Sequence, residues 1–210
     1  MSEFNSIFDV ICSRRSCDTF RRKGVERAKV GKMLEAARWA PSPGNIQSWE
    51  FIVVEDAELK EQVSKIAHKN KAILDSPMSI VVLSNLTRAI ARYGKSSAEK
   101  YALQECGACV QNMLLVAHEE GLGTCWIGDF QTKKLVELLK IPETVLPVAI
   151  ISVGYSTGDY NYKERFKYKI TEVTFWNEYG VRVSPIYDEF EWKGLQHYGR
   201  RTKKRLFKKW

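Results

Sequence analysis

Three short apolar runs limit most strongly what this chain can fold into. They read FIVVE at residues 51–55, SIVVLS at residues 79–84 and VAIISVG at residues 148–154. Each run has the length of a strand, and its unbroken apolar character is typical of a strand that is buried. With 210 residues and 44% hydrophobic content, the chain can bury one core of useful size. We therefore expect a single α/β or α+β domain.

Helical spacing and capping residues predict helices in much of the remaining sequence. The clearest pattern places Val30, Met33, Leu34 and Ala37 on one helix face, and that helix must stop near Pro41. Further helices are expected over residues 7–12, 57–68, 101–120 and 133–140. Asp56 and Thr132 are the predicted N-caps of the second and fourth of these.

Two other segments are candidates for loops at a site. Residues 87–99 are polar with little apolar periodicity, and we interpret them as a candidate mobile lid. Residues 121–130, GLGTCWIGDF, are expected to form a glycine-rich loop. Neither a glycine-rich turn after a strand nor a phosphate-binding P-loop occurs, so a nucleotide would have to be held by other means.

The net charge of +8 is concentrated at the C-terminus. Residues 193–210 contain eight basic and no acidic side chains, which leaves the rest of the chain neutral. Residues 199–210 also carry Leu206, Phe207 and Trp210, a mixture that occurs in contacts with anionic membranes and nucleic acids. A weak polyanion contact and a merely solvated tail both remain open.

The number of cysteines and the absence of long apolar runs indicate in which cellular compartment the protein is expected. Five cysteines are an odd number, which favours free thiols in a reducing environment. No basic leader and no apolar run of spanning length occur, so we expect a soluble, cytoplasmic protein without a transmembrane segment. Cys106 and Cys109 have redox or half-zinc spacing but lie within a helical apolar pattern. We interpret them as core residues, keep a thiol redox protein as an alternative, and predict no metal site.

Two basic groups are suited to a phosphate. Arg14, Arg15 and Ser16 place two guanidinium groups and a hydroxyl in one short segment, and arginine offers a planar fork of donors. Lys163 and Arg165 form a second basic pair after the third apolar run. Both groups could clamp one phosphate, whereas a solvated basic loop is the alternative for the first.

Four segments of this chain resemble motifs of the nitroreductase-like flavoprotein family and occur in the same order as in that family. They are Arg14–Ser16, APSPGNIQSW at residues 40–49, GLGTCWIGDF at residues 121–130, and Lys163 with Arg165. The resemblance covers nearly all of residues 7–180. It implies an α+β fold with three α/β/α layers, a central and mostly antiparallel sheet, and a domain-entwined homodimer. It also implies an FMN-binding domain over residues 1–180, followed by an extension with a basic tail over residues 181–210.

The same resemblance implies which residues hold the cofactor. Those near the FMN phosphate and ribityl chain would be Arg14, Arg15, Ser16, Lys163 and Arg165. The 40–49 signature would approach the flavin from the other subunit through Ser42, Pro43, Gly44, Asn45 and Gln47. Backbone groups of Trp126, Ile127 and Gly128 would lie near flavin N5, since a glycine allows close approach. No catalytic side chain is required.

The resemblance implies an FMN-dependent oxidoreductase. It would transfer hydride from NADH or NADPH to a small acceptor, such as a nitroaromatic or a quinone, by a ping-pong mechanism. The alternatives are a dehalogenase or flavin-consuming enzyme of the same fold, and a polyanion-binding protein that acts through its tail. The choice of nicotinamide and the physiological acceptor stay open.

Two residues depart from the family pattern. Asp18 stands where the family usually has Arg or Lys near the flavin, and its carboxylate disfavours a negatively charged reduced flavin unless Arg21, Arg22 or Lys71 neutralises it. Ser48 replaces a common proline, which we treat as a minor change.

Overall fold

The computed structural model describes residues 6–158 and 167–184. They belong to two compact units, one of residues Arg14–Tyr160 and one of residues Met1–Ser13 together with Asn161–Trp210. Lys163, Arg165 and most of the predicted C-terminal extension lie outside the described residues. The predicted domain boundary at residue 180 therefore stays a prediction.

The larger unit is built on a sheet that has four strands in the described part of the chain. These are β1 (Trp49–Val54), β2 (Met78–Asn85), β3 (Gly123–Ile127) and β4 (Val145–Gly154). Their order is β1-β2-β4-β3, and each neighbouring pair is antiparallel. The three strands expected from the apolar runs are confirmed as β1, β2 and β4.

We expected a glycine-rich loop over residues 121–130. This expectation is wrong for residues 123–127, which form the edge strand β3. Gly123, Thr124 and Ile127 are buried, while Trp126 faces solvent. The strand has only five residues, and Ile127 is its one aliphatic side chain that faces the interior. This apolar pattern is too short to predict a strand from the sequence. Pairing with β4 supplies the backbone hydrogen bonds that stabilise the strand.

The helices mostly follow the sequence pattern. Asp56 caps its helix as predicted, because its carboxylate accepts the Leu59 N–H at 2.8 Å. Thr132 does not act as the cap of its helix, since it is the first helical residue and Gln131 precedes it. The helices are α1 (Ile7–Ser13), α2 (Arg27–Arg38), α3 (Ala57–Ile66), α4 (Lys71–Asp75), α5 (Leu86–Tyr93), α6 (Lys95–Glu119), α7 (Thr132–Leu139) and α8 (Ile170–Val173).

The candidate lid over residues 87–99 is helical rather than irregular. It comprises most of α5 and the first turn of α6, with only Gly94 between the two helices. Ala89 and Ala98 are each 1% exposed. Because the buried positions are small alanines, the core-facing side of this segment gives little apolar periodicity.

Helices cover both faces of the sheet. Alternate residues of β2 point to opposite sides, with Ile80 in one apolar cluster and Val81 in the other. The first cluster joins the sheet to α2 and α6, and the second joins it to α3 and α7. The larger unit therefore has three layers, which confirms the expected α+β class and its mostly antiparallel sheet.

The Cys106–Cys109 pair belongs to the core, as interpreted from the helical spacing. Both side chains are 0% exposed, and burial raises the pKa of each thiol to about 12. A thiol that is buried and protonated is a poor nucleophile, so the thiol redox alternative is wrong for this pair. Within the described residues, no helix combines the length and apolar character needed to cross a membrane.

Candidate functional site

The segment of Arg14, Arg15 and Ser16 lies along the outer edge of β3. Ser16 forms a parallel bridge with Thr124, and the Cys17 N–H donates to the Thr124 carbonyl at 2.8 Å. Two motifs that are more than a hundred residues apart in sequence thus meet at one sheet edge. The structure brings these predicted site residues together.

Gly123 makes this approach possible. A Cβ atom built on Gly123 would lie 2.8 Å from Cβ and 2.9 Å from Sγ of Cys17. Any larger residue would push the basic segment away from β3. The sequence alone does not indicate a role for Gly123. Its role in admitting the basic segment is visible only because Cys17, which is distant in sequence, packs against it.

The two guanidinium groups of this segment act on a histidine that the sequence argument did not single out. Burial, followed by the positive charges of Arg14 and Arg15, lowers the pKa of His118 to about 4. His118 is therefore neutral near pH 7. Arg14 and Arg15, which are half-buried, therefore lie close enough to His118 for their charge to act on it.

Trp126, Ile127 and Gly128, which are expected near the flavin ring, lie further along β3 and at its end. Ile127 is buried in the core and anchors the end of β3, whereas Trp126 is 42% exposed. A Cβ built on Gly128 would meet no atom of the described residues within 4 Å, and its φ lies outside the left-handed region. The space beside Gly128 is therefore open in this part of the chain.

Ser42 to Gln47 form a compact turn before β1. Gly44, Asn45 and Gln47 have φ values of 54°, 57° and 53°. The Gln47 N–H donates to Ser42 Oγ at 3.2 Å, and Gln47 Nε2 donates to Asn45 Oδ1 at 2.8 Å. Pro43 opens the short helical turn Pro43–Asn45. These hydrogen bonds hold the turn in one conformation before any ligand binds.

Helix α5 packs against this turn. Arg88 donates to the Gln47 carbonyl at 3.0 Å and forms an ion pair with Glu50 at 3.0 Å. A Cβ on Gly44 would lie 2.5 Å from Arg92 Nε and 2.6 Å from the Tyr93 hydroxyl. Both the positive φ and this close approach favour glycine at position 44.

An open groove of about 530 Å³ lies at the same end of β1. It does not include Arg14, Arg15 or Ser16. The residues that line it are Arg38, Ile46, Gln47, Trp49, Phe51 and Arg88.

Two groups of predicted site residues, the basic segment and the Ser42–Gln47 turn, stand at diagonally opposite corners of the sheet. The turn precedes Trp49, which is in register with Ser84 and Leu146, whereas Thr124 is in register with Val153. Three strand spacings separate the two edges by about 14 Å, and the register offset adds about 20 Å along the strands. Within one chain, the groups do not converge.

The residues along β3 fit a phosphate-bearing planar cofactor. Arg14, Arg15 and Ser16 supply donors for an anion, and Gly128 leaves the end of the strand open. Asp18 is exposed, and its charge adds to burial in raising the pKa of Cys17 and Cys125. A carboxylate therefore stands beside this edge, and its place relative to the flavin stays a prediction. In the described part of the chain, no cluster of three potential metal ligands occurs.

The larger unit is thus a three-layer α+β structure with two arginines and a serine along the outer edge of β3, an arrangement suited to an anionic cofactor. The model of the Nitroreductase family matches residues 11–76 and 67–155. The chain belongs to the nitroreductase family, which confirms the resemblance found in the sequence.

Individual relatives agree with this assignment. A Methanothermobacter thermautotrophicus protein, named provisionally as an NADH dehydrogenase/NAD(P)H nitroreductase, is 32% identical over 156 residues, covering 71% of this chain and 76% of the relative. A nitroreductase family protein from Clostridium novyi NT superposes with a TM-score of 0.65 at 30% identity, covering 84% and 96% of the two chains. An FMN-dependent nitroreductase from Clostridium difficile R20291 superposes with a TM-score of 0.67 at 27% identity, covering 82% and 99%.

Proposed function

We propose that this protein is an FMN-dependent oxidoreductase that transfers hydride from NADH or NADPH to a small acceptor. The observation that carries the proposal is the basic segment of Arg14, Arg15 and Ser16 held against β3, with the open Gly128 at the end of that strand. Family membership supports it, as do the FMN and NAD(P)H named for the relatives. A nitroaromatic or a quinone is the proposed acceptor class.

The chain's residues have binding and orienting roles in this proposal. Arg14, Arg15 and Ser16 bind the cofactor phosphate, with Lys163 and Arg165 as the proposed second contact. The backbone of Trp126, Ile127 and Gly128 orients the ring system, and an N–H at this strand end donates to a ring nitrogen. FMN supplies the hydride chemistry when bound, so no acidic or basic side chain is needed at the reacting atoms.

The proposed homodimer follows from the distance between the two predicted groups. Ser42, Pro43, Gly44, Asn45 and Gln47 lie at the sheet corner opposite the basic segment. If both groups contact one FMN, they come from two chains.

Colour and stoichiometry test the proposal directly. Purified protein should be yellow, with an absorption band at about 450 nm, and should contain one FMN per chain in a dimer. Under anaerobic conditions, NADH or NADPH should bleach this band, and adding an acceptor should restore it. A colourless protein that cannot be reconstituted with FMN would overturn the proposal.

Steady-state kinetics test whether donor and acceptor occupy the same space in turn. Parallel double-reciprocal plots are expected, because the donor leaves before the acceptor enters. Intersecting lines, with no bleaching until both substrates are present, would contradict the ping-pong mechanism.

The basic tail over residues 199–210 lies outside the described residues, and its contact with polyanions stays a prediction. Salt-dependent retention on heparin should disappear when these residues are deleted. Unchanged retention after the deletion would contradict the contact.

A further inference from the structure

One arginine beside the Ser42–Gln47 turn has no role in the fold of the described residues. Arg88 and Arg92 lie one turn apart on α5. Arg88 is held by Glu50 and the Gln47 carbonyl. Arg92 is exposed, and no acidic side chain in the described ranges lies within ion-pair distance of it.

Arg92 nevertheless lies close to the turn. Its Nε lies 2.5 Å, and its Cζ 3.0 Å, from the position of a Cβ on Gly44. The absence of a side chain at Gly44 therefore leaves room for a guanidinium group against the backbone. A guanidinium group beside the turn, with no counter-charge among the described residues, is suited to an anionic ligand.

The surroundings of Arg92 are aromatic and basic. The rings of Tyr93 and Tyr101 have centroids 4.7 Å apart and an interplanar angle of 55°. Both tyrosines are half-buried. Residues 86–101 contain four basic side chains and one acidic one, so the local potential is positive.

We propose that Arg92 binds the anionic group of a substrate and that the Tyr93–Tyr101 pair contacts the substrate's planar ring. The anionic group is a phosphate or carboxylate, because the planar guanidinium fork matches both. Two substrates could carry it, namely the 2′-phosphate of NADPH or a carboxylate on an aromatic acceptor. The inference rests on the proposed function, which brings the Ser42–Gln47 turn close to the flavin.

The test uses the purified protein with its FMN and two matched pairs of redox-inert probes. Calorimetry compares 2′,5′-ADP with 5′-AMP, and benzoate with benzamide, so that each pair differs in one anionic group. Arg92→Gln removes the charge, while Arg92→Lys keeps it without the fork. Arg27→Gln is the matched control. Arg27 is an exposed arginine in the N-terminal turn of α2, and it forms an ion pair with Glu55.

Arg92→Gln should weaken binding of the probe that carries the additional anionic group about tenfold in one pair, and it should leave binding of the other probe of that pair unchanged. Arg92→Lys should lie between this variant and the unmodified protein, and Arg27→Gln should match the unmodified protein. The corresponding kcat/KM values, for NADPH against NADH and for 4-nitrobenzoate against 4-nitrobenzamide, should change in the same ratio.

The pair that responds identifies the source of the anionic group. Selective loss of 2′,5′-ADP binding assigns Arg92 to the donor phosphate, and selective loss of benzoate binding assigns it to an acceptor carboxylate. Equal effects on both probes of a pair, or no effect on either pair, would overturn the proposal. Flavin content and anaerobic bleaching are measured separately, so normal bleaching alongside unselective binding refutes the role of Arg92 and leaves the proposed function standing.

Discussion

The backbone N–H of Ser48 donates to Oε1 of Glu105 at 3.1 Å, and the Ser48 hydroxyl donates to the same oxygen. The Ser84 hydroxyl lies 2.5 Å from Ser48 Oγ. Ser48 is 0% exposed and Glu105 2% exposed, so this network joins the residue before β1 to the middle of α6 inside the core. Treating Ser48 as a minor departure from the family proline was therefore wrong, because proline can supply neither donor.

Ser48→Pro should lower the free energy of unfolding by about 3 kcal/mol, because it leaves a buried carboxylate oxygen without its donors. Ser48→Ala keeps the backbone N–H and should cost about half as much. Urea denaturation measures both.

The Ser48→Pro, Glu105→Leu double variant provides the control. With the carboxylate gone, the proline should cost clearly less than it does in the presence of Glu105. Additive losses in this double-mutant cycle would show that Glu105 does not depend on Ser48.

Gly123→Ala should weaken FMN binding about tenfold, because its Cβ would displace Cys17 and the adjoining Ser16 from β3. Fluorescence titration of the FMN-free protein with FMN measures the affinity. Gly31→Ala is the matched control, since no neighbouring atom lies within 4 Å of a Cβ at that exposed position of α2. It should keep FMN affinity and stabilise the helix by about 1 kcal/mol. Equal FMN affinity of both variants would contradict the positioning role of Gly123.

Local patterns predicted the parts of this fold that local interactions stabilise. The apolar runs located β1, β2 and β4, and Asp56 marked the start of α3. The patterns failed where the contacts come from distant segments. Strand β3 depends on pairing with β4, and α5 contributes a small alanine rather than a large apolar residue to the core.

The same distinction applies to the candidate site. The chemistry of Arg14, Arg15 and Ser16 was visible in the sequence, because guanidinium groups suit phosphates wherever they occur. Their pairing with Thr124 was not visible, since it depends on the strand order. The contact of Arg92 with Gly44 likewise depends on how α5 packs.

Asp18→Arg should raise the midpoint potential of bound FMN, because a positive charge stabilises a reduced flavin that carries negative charge. For an exposed position the expected change is on the order of 20 mV for each unit of charge. Asp18→Asn removes the negative charge alone and should give about half the effect. Anaerobic redox titration measures the potential, and higher ionic strength should reduce the difference. The same potential in all three proteins would show that Asp18 does not face the flavin.

His118 should make the stability of the FMN-free protein depend on pH. Its pKa is about 4 in the folded state and 6.5 without the fold, so the unfolded chain takes up the proton first as the pH falls. The stabilisation is complete above pH 6.5 and is lost as the pH falls from 6.5 to 4, by at most about 3 kcal/mol. His118→Gln should show a shallower decline in urea denaturation across this range. His68→Gln, at an exposed histidine, is the control for replacing a histidine by glutamine.

The same histidine reports on the proposed phosphate site. Arg14 and Arg15 contribute to the lowered pKa of His118 through their positive charge, and a phosphate bound between them would offset that charge. The pKa of His118, followed by NMR titration of its ring, should therefore be higher in FMN-loaded protein than in FMN-free protein. Inorganic phosphate should cause a smaller rise, and riboflavin, which lacks the phosphate, should cause none. An identical pKa with and without FMN would place the phosphate away from Arg14 and Arg15.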